Sequence, residues 1–179
     1  MTASVPKAFA DRRETTGPRL PDRAGVGFKF QHADAALSSS GGVSWMEVHP
    51  ETYMVDGGPR LRILDALAAA YPMSLHGVAL SLAGDAPPDR AHLSRLKALA
   101  DRVDPAQISE HLAWSDHGGV YFADLLPIQL THATLDRVVR NIDIAQDYLG
   151  RRILIENPSN YLVLPGAEPQ DVVIKSLMC

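Results

Sequence analysis

Four short apolar runs in this sequence each end on a side chain able to bind a metal ion: Trp45 to His49 in WMEVHPETY, Met73 to His76 in MSLHG, Ile108 to His111 in ISEHLAW, and Ile153 to Asn157 in ILIENPS. One such ending carries little weight. Four in succession, separated by stretches of helical spacing, bring imidazoles and carboxylates to one end of consecutive strands. In a parallel α/β protein that end is where the chemistry sits. Imidazole and carboxylate donors without thiolates suit iron, manganese or zinc, and two or more histidines disfavour an all-oxygen calcium or magnesium site. Carboxylates also bridge neighbouring cations, so Glu110 and Glu156 would permit more than one metal. Singly, each group has an ordinary explanation: Glu47 and His49 as strand-end groups bonded to loop amides, His76 as a core histidine bonded to a carbonyl. Together they favour a site, because burying several of them without an ion or partners leaves charge badly solvated.

Strand geometry sorts the candidates further. Neighbours on a strand point to opposite faces, so one of Glu110 and His111 is expected to enter the site, with Glu110 as the ligand. Glu47 and His49 share a face, which makes Glu47 a partner that orients His49. His32 opens a helix near the catalytic end and is balanced between substrate contact and structure. His92 on a helix surface, His117 in a turn and His132 beside a helix cap are expected to face solvent.

The elements that would hold these residues read as strand and helix in alternation. Ala24 to Phe30 is a first strand, followed by a short helix over His32 to Leu37. Val43 to Val48 is a second strand, and Pro59 to Tyr71 a helix with Leu61, Leu64, Leu67 and Ala68 on one face, closed by Pro72. Met73 to His76 is a third strand. After Pro87 and Pro88, a helix carries Leu93, Leu96, Leu99 and Val103. Gln107 to His111 is a fourth strand, and a turn over Asp116 to Gly119 makes a small hairpin over the site. Thr131 caps a helix that Gly150 ends, and Ile153 to Glu156 is a fifth strand. This alternation calls for a parallel sheet with right-handed crossovers.

Composition restricts the setting. A chain of 179 residues with 46% apolar content supports one core, and a formal net charge of -4 gives no general attraction to nucleic acid or an anionic membrane. The only cysteine is Cys179, so an intrachain disulfide framework is excluded and a reducing, cytoplasmic setting is expected. Neither a secretion signal nor a bilayer-spanning stretch is evident. Residues 1–22 read as a polar tail, 23–165 as the metal-binding domain and 166–179 as a second tail.

Five ordered segments, GVGFKFQH, WMEVHPETY, YPMSLHGVALSL, ISEHLAWSDHGGVYFADLLPI and LIENPSNYL, resemble the multinuclear non-haem iron-dependent oxidative enzymes, a bacterial family that includes the methanobactin biosynthesis oxidase. The resemblance covers Ala24 to Leu164. It implies an α/β fold of the xylose-isomerase-like TIM-barrel kind holding two or three irons. It also implies dioxygen as co-substrate, a cysteine-containing precursor peptide as substrate and a companion protein that presents the peptide. By that resemblance His49, His76, Glu110 and Glu156 stand at the positions of iron ligands and His32, Trp114 and Asn157 line the site, while Glu47 and His111 are placed beside it by the strand geometry above.

The resemblance further implies a later strand with an aspartate and paired asparagines, then more histidine and acidic ligands; GAEPQDVVIKSLMC stands in their place. A full barrel takes about 250 residues and eight strands. The expectation is therefore an incomplete barrel of about five βα units, a truncated or frame-disrupted form of impaired activity with unclosed sheet edges and a marginal fold. A zinc or manganese isomerase or hydrolase on the same barrel, or a non-catalytic remnant, are the alternatives.

Overall fold

The computed structural model describes residues 18–38, 42–159 and 164–165. Residues 1–17 of the expected first tail and all of the expected second tail lie outside this range, and 18–22 contain neither helix nor strand. In chain order the elements are β1 (Val26–Gly27), α1 (Ala33–Ser38), β2 (Met46–Val48), α2 (Pro59–Ala70), β3 (Met73–His76), α3 (Arg90–Val103), β4 (Gln107–His111), β5 (Trp114–His117), β6 (Val120–Leu126), α4 (His132–Leu149) and β7 (Leu154–Glu156).

Five strands form one parallel sheet in the order β1-β2-β3-β4-β7, and β5 pairs antiparallel with β6 as a separate ribbon. Spatial order follows chain order with no reversal, whereas a doubly wound sheet turns back at a switch point. The helices follow suit: α1 packs on α2, α2 on α3 and α3 on α4. This is a βα arc consistent with a TIM-barrel-like fold.

Each helix has a chemical start and stop. Pro59 opens α2, where its missing N–H costs nothing, and extended backbone at Tyr71 before Pro72 closes it. The Asp89 carboxylate accepts from the backbone N–H groups of Ala91 and His92 to start α3. Thr131 Oγ1 accepts from Thr134 N–H at the start of α4, and Gly150 at φ 71° ends it. The apolar stripes of these helices meet the outer face of the sheet, where Leu64, Leu67, Leu75, Leu82 and Leu93 are fully buried. No helix among the described residues is long and apolar enough to cross a membrane.

Two departures from expectation have local causes. The strand expected over Ala24 to Phe30 is paired only at Val26 and Gly27, because β1 has a single neighbour and the chain turns into a 3-10 segment at Phe30–His32. Trp45 occupies the space beside Gly25, where a Cβ would overlap its ring, and its indole N–H donates to Arg23 O at 2.9 Å. The turn expected over Asp116 to Gly119 narrows to Gly118 and Gly119, both at positive φ (59° and 76°), which is the geometry a two-residue hairpin loop demands.

Candidate metal centre

Strand register decides which side chains meet. His76 lies opposite Ser109, and His111 lies opposite Glu156. Since Ser109 and His111 are two apart, His76, Ser109, His111 and Glu156 all rise from one face, the inner one. Glu47, Ser74 and Gln107 continue that face lower down, because Ser74 lies opposite both Glu47 and Gln107. The other face carries Met46, Val48, Met73, Leu75 and Ile108, all buried beneath the helices. The sheet therefore has an apolar outer side and a polar inner side, and the polar side ends in imidazoles.

At the top of that inner face, ligand atoms of His76, His111 and Glu156 lie within 4.8 Å of one another, close enough to share one cation. His76 Nε2 is 3.2 Å from Glu156 Oε2, His111 Nε2 is 3.8 Å from Glu156 Oε1, and the two rings stand 4.5 Å apart. The other ring nitrogens are already engaged. His111 Nδ1–H donates to Gly77 O at 3.0 Å, which leaves the Nε2 lone pair for a ligand. His76 Nδ1 meets Ser109 Oγ at 2.7 Å, a hydroxyl that suits either tautomer. His49 repeats the device, with Nδ1–H on His76 O at 3.0 Å and its ring 5.7 Å from that of His76. A donor set of two imidazoles and one carboxylate, each histidine oriented from behind, fits a divalent transition metal.

Glu110 belongs to the outer face by strand alternation, although it was expected to be the strand's contribution to the cluster. Its carboxylate is 2% exposed and accepts from Leu80 N–H at 3.2 Å and His111 N–H at 3.1 Å. It occupies the space over Gly77, where any Cβ would collide with its Oε2. Its Oε1 also stands 3.8 Å from His111 Nδ1. The Glu110 carboxylate, the Gly77 carbonyl and the Glu156 charge together raise the His111 pKa from 6.5, against burial, which lowers it.

The remaining sequence candidates are placed as follows. Glu47 is not hydrogen-bonded to His49: its carboxylate accepts from Ser74 Oγ at 3.0 Å, and the backbone carbonyl of His76 takes the orienting role expected of Glu47. His32 is exposed and pairs with the adjacent Gln31 side chain. Trp114 braces the hairpin, donating to Pro127 O at 2.8 Å and meeting Phe122 edge-on. Asn157 is exposed just beyond β7. His117 is exposed and lies 3.2 Å from Asp85, and His132 is exposed.

His92 departs from the expectation of a solvent-facing residue, being only 9% exposed. The signal was present in the spacing: His92, Leu96, Leu99 and Val103 fall on one helical stripe, so the packed face of α3 includes the imidazole. Its Nε2 lies 3.7 Å from Oε1 of Glu51, a residue that sequence reasoning passed over. Glu51 sits in the 3-10 turn Pro50–Tyr53 after β2 and accepts from Val78 N–H at 2.9 Å. Nothing in the sequence distinguishes it from an ordinary loop acid.

Residues 23–175 match the family model described as RiPP precursor modification enzyme MbnB/TglH/ChrH, RiPP denoting a ribosomally synthesised and post-translationally modified peptide. Among curated relatives, a UPF0276 protein of Caulobacter vibrioides (strain NA1000 / CB15N) is 55% identical over 143 residues, covering 80% of this chain and 51% of the relative. A UPF0276 protein of Caulobacter sp. (strain K31) is 59% identical, with 80% and 52% covered. One from Paraburkholderia phytofirmans is 47% identical, with 80% and 47% covered. The chain thus spans about half the length of the curated relatives it matches.

Proposed function

Because the chain belongs to the RiPP precursor modification enzyme family MbnB/TglH/ChrH, we propose that it carries part of an iron centre that uses dioxygen to modify cysteine in a ribosomally made precursor peptide. The observation that supports this most is the convergence of His76, His111 and Glu156 within 4.8 Å. Two histidines and a carboxylate are the donor set of non-haem iron(II) oxygenases, where the remaining coordination positions stay open. His76 and His111 would hold the ion through Nε2 and Glu156 through its carboxylate, with His49 beside them. Glu110 acts on His111 from behind. Bound iron supplies Lewis-acid and one-electron redox chemistry that no side chain provides.

The chain's own contribution is orientation. Gly77 O and Ser109 Oγ fix the imidazoles from the far side, so their free nitrogens would face the ion on the inner face. Glu156, 54% exposed, leaves that face open to an incoming peptide thiol. The sheet is read as an arc of a xylose-isomerase-like barrel, and the peptide as one presented by a companion protein.

Purification without oxygen followed by iron(II) loading and metal analysis tests the reading. The wild-type chain is expected to bind iron, and His76→Ala and His111→Ala are each expected to weaken binding at least about tenfold. The His117→Ala variant, altered at the exposed end of β5, should bind as the wild type does. Retention of zinc in place of iron would support the isomerase or hydrolase instead, and undiminished iron in His111→Ala would overturn the assigned site.

A further inference from the structure

A concavity of about 780 Å³ is bordered by the Glu51 side chain, held by Val78 N–H, and walled also by Ser81, His92, Arg95, Asp116 and Tyr121. It is large enough for a small ligand or a short piece of chain. Two of its wall residues are incompletely bonded. Glu51 spends Oε1 on Val78 N–H, while its Oε2 is buried without a partner. His92 is 9% exposed, and its Nε2 is likewise buried and unpartnered, 3.7 Å from Glu51 Oε1 and so beyond hydrogen-bond reach. Buried polar atoms seldom stay unbonded, so this pair marks where a bonding partner belongs.

We infer that Glu51 and His92 form a docking point for the backbone of an extended peptide, a reading that rests on the peptide substrate proposed above. Glu51 Oε2 accepts and His92 Nε2–H donates from neighbouring side chains, each turning from its buried position to meet the incoming chain. In extended chain the N–H and C=O of a single residue point to the same side, which is the complementary pair. A cation is the poorer occupant, because two donors fall short of a site and the described residues that converge as three are those of the triad. The two places are linked through consecutive residues: His76 supplies a triad nitrogen, Gly77 O orients His111, and Val78 N–H holds Glu51. A peptide gripped at Glu51 and His92 therefore has its register set relative to the metal.

The test is an amide-resolved NMR titration of the full chain with the capped tripeptide acetyl-Ala-Cys-Ala-amide, alongside the same peptide N-methylated at its backbone. Saturable shifts at Val78, Ser81 and His92 are expected, with binding about tenfold weaker in Glu51→Gln, which keeps the shape but turns an acceptor into a donor, and in His92→Phe. N-methylation should weaken binding similarly, and it leaves the protein's fold untouched. Absence of those shifts, or equal affinity for the methylated peptide and for Glu51→Gln, would overturn the inference. Should the wild type bind this peptide as described yet take up no iron, the metal reading fails and the docking point stands.

Discussion

A backbone carbonyl decides which nitrogen His111 offers. Gly77 O takes Nδ1–H, and the absence of a side chain at Gly77 admits the Glu110 carboxylate that lies against the same ring. Gly77→Ala is expected to force Glu110 aside at a stability cost of about 1–3 kcal/mol, and to weaken metal uptake. Thermal unfolding and metal titration of the variant check both effects. The raised His111 pKa has a definite sign in each state. In the metal-free protein, the imidazolium beside Glu110, Gly77 O and Glu156 contributes stability below pH 6.5, and that contribution is lost as pH rises through the higher folded-state value. Metal binding requires the neutral ring, so affinity should fall on acidification through the same range with proton release at uptake. Calorimetric titrations at several pH values would show this, and a pH-independent affinity would exclude His111 from the ligand set.

Elements divide into those whose limits are written locally and those set by neighbours. β3 and β4 match their expected limits because each is a short alternating run bounded by residues that end it, Pro72 and Gly77 for the former, Pro105 and the sharp departure into the hairpin for the latter. β1 was overextended because an apolar, glycine-bearing run says nothing about how many partners it will have. The burial of His92 has a related cause: a polar side chain placed in register with Leu96, Leu99 and Val103 is carried onto the packed stripe whatever its polarity. Which of Glu110 and His111 shares a face with Glu156 is set by inter-strand register, which a single strand's sequence does not contain. α4 shows how a long-range contact ties elements together. The buried Asn141 side chain donates to Leu82 O at 2.9 Å and faces Gly84 O and Ala86 O at 3.4 Å, fastening the loop between β3 and α3. Asn141→Leu should leave those carbonyls unpaired and lower stability by about 1–3 kcal/mol, read from denaturant unfolding.

At the scale of the molecule, ordered strands and consecutive helix contacts make an arc whose outer side is apolar and whose inner side is polar. That imidazoles and carboxylates close successive strands was legible from the sequence, whereas the pairing of Glu51 with His92 was not, since it joins a turn after β2 to the first turn of α3. Glu156 differs from its fellow donors in resting on β7, which is bonded to β4 alone among the described residues and leaves Leu154 55% exposed. Any strand that adds to the free side of β7 would stiffen the carboxylate it carries. By thermodynamic reciprocity, whatever factor such an addition lends to ion affinity the ion must return to the addition. Assembly along that border and occupancy of the centre are thus two readings of one equilibrium.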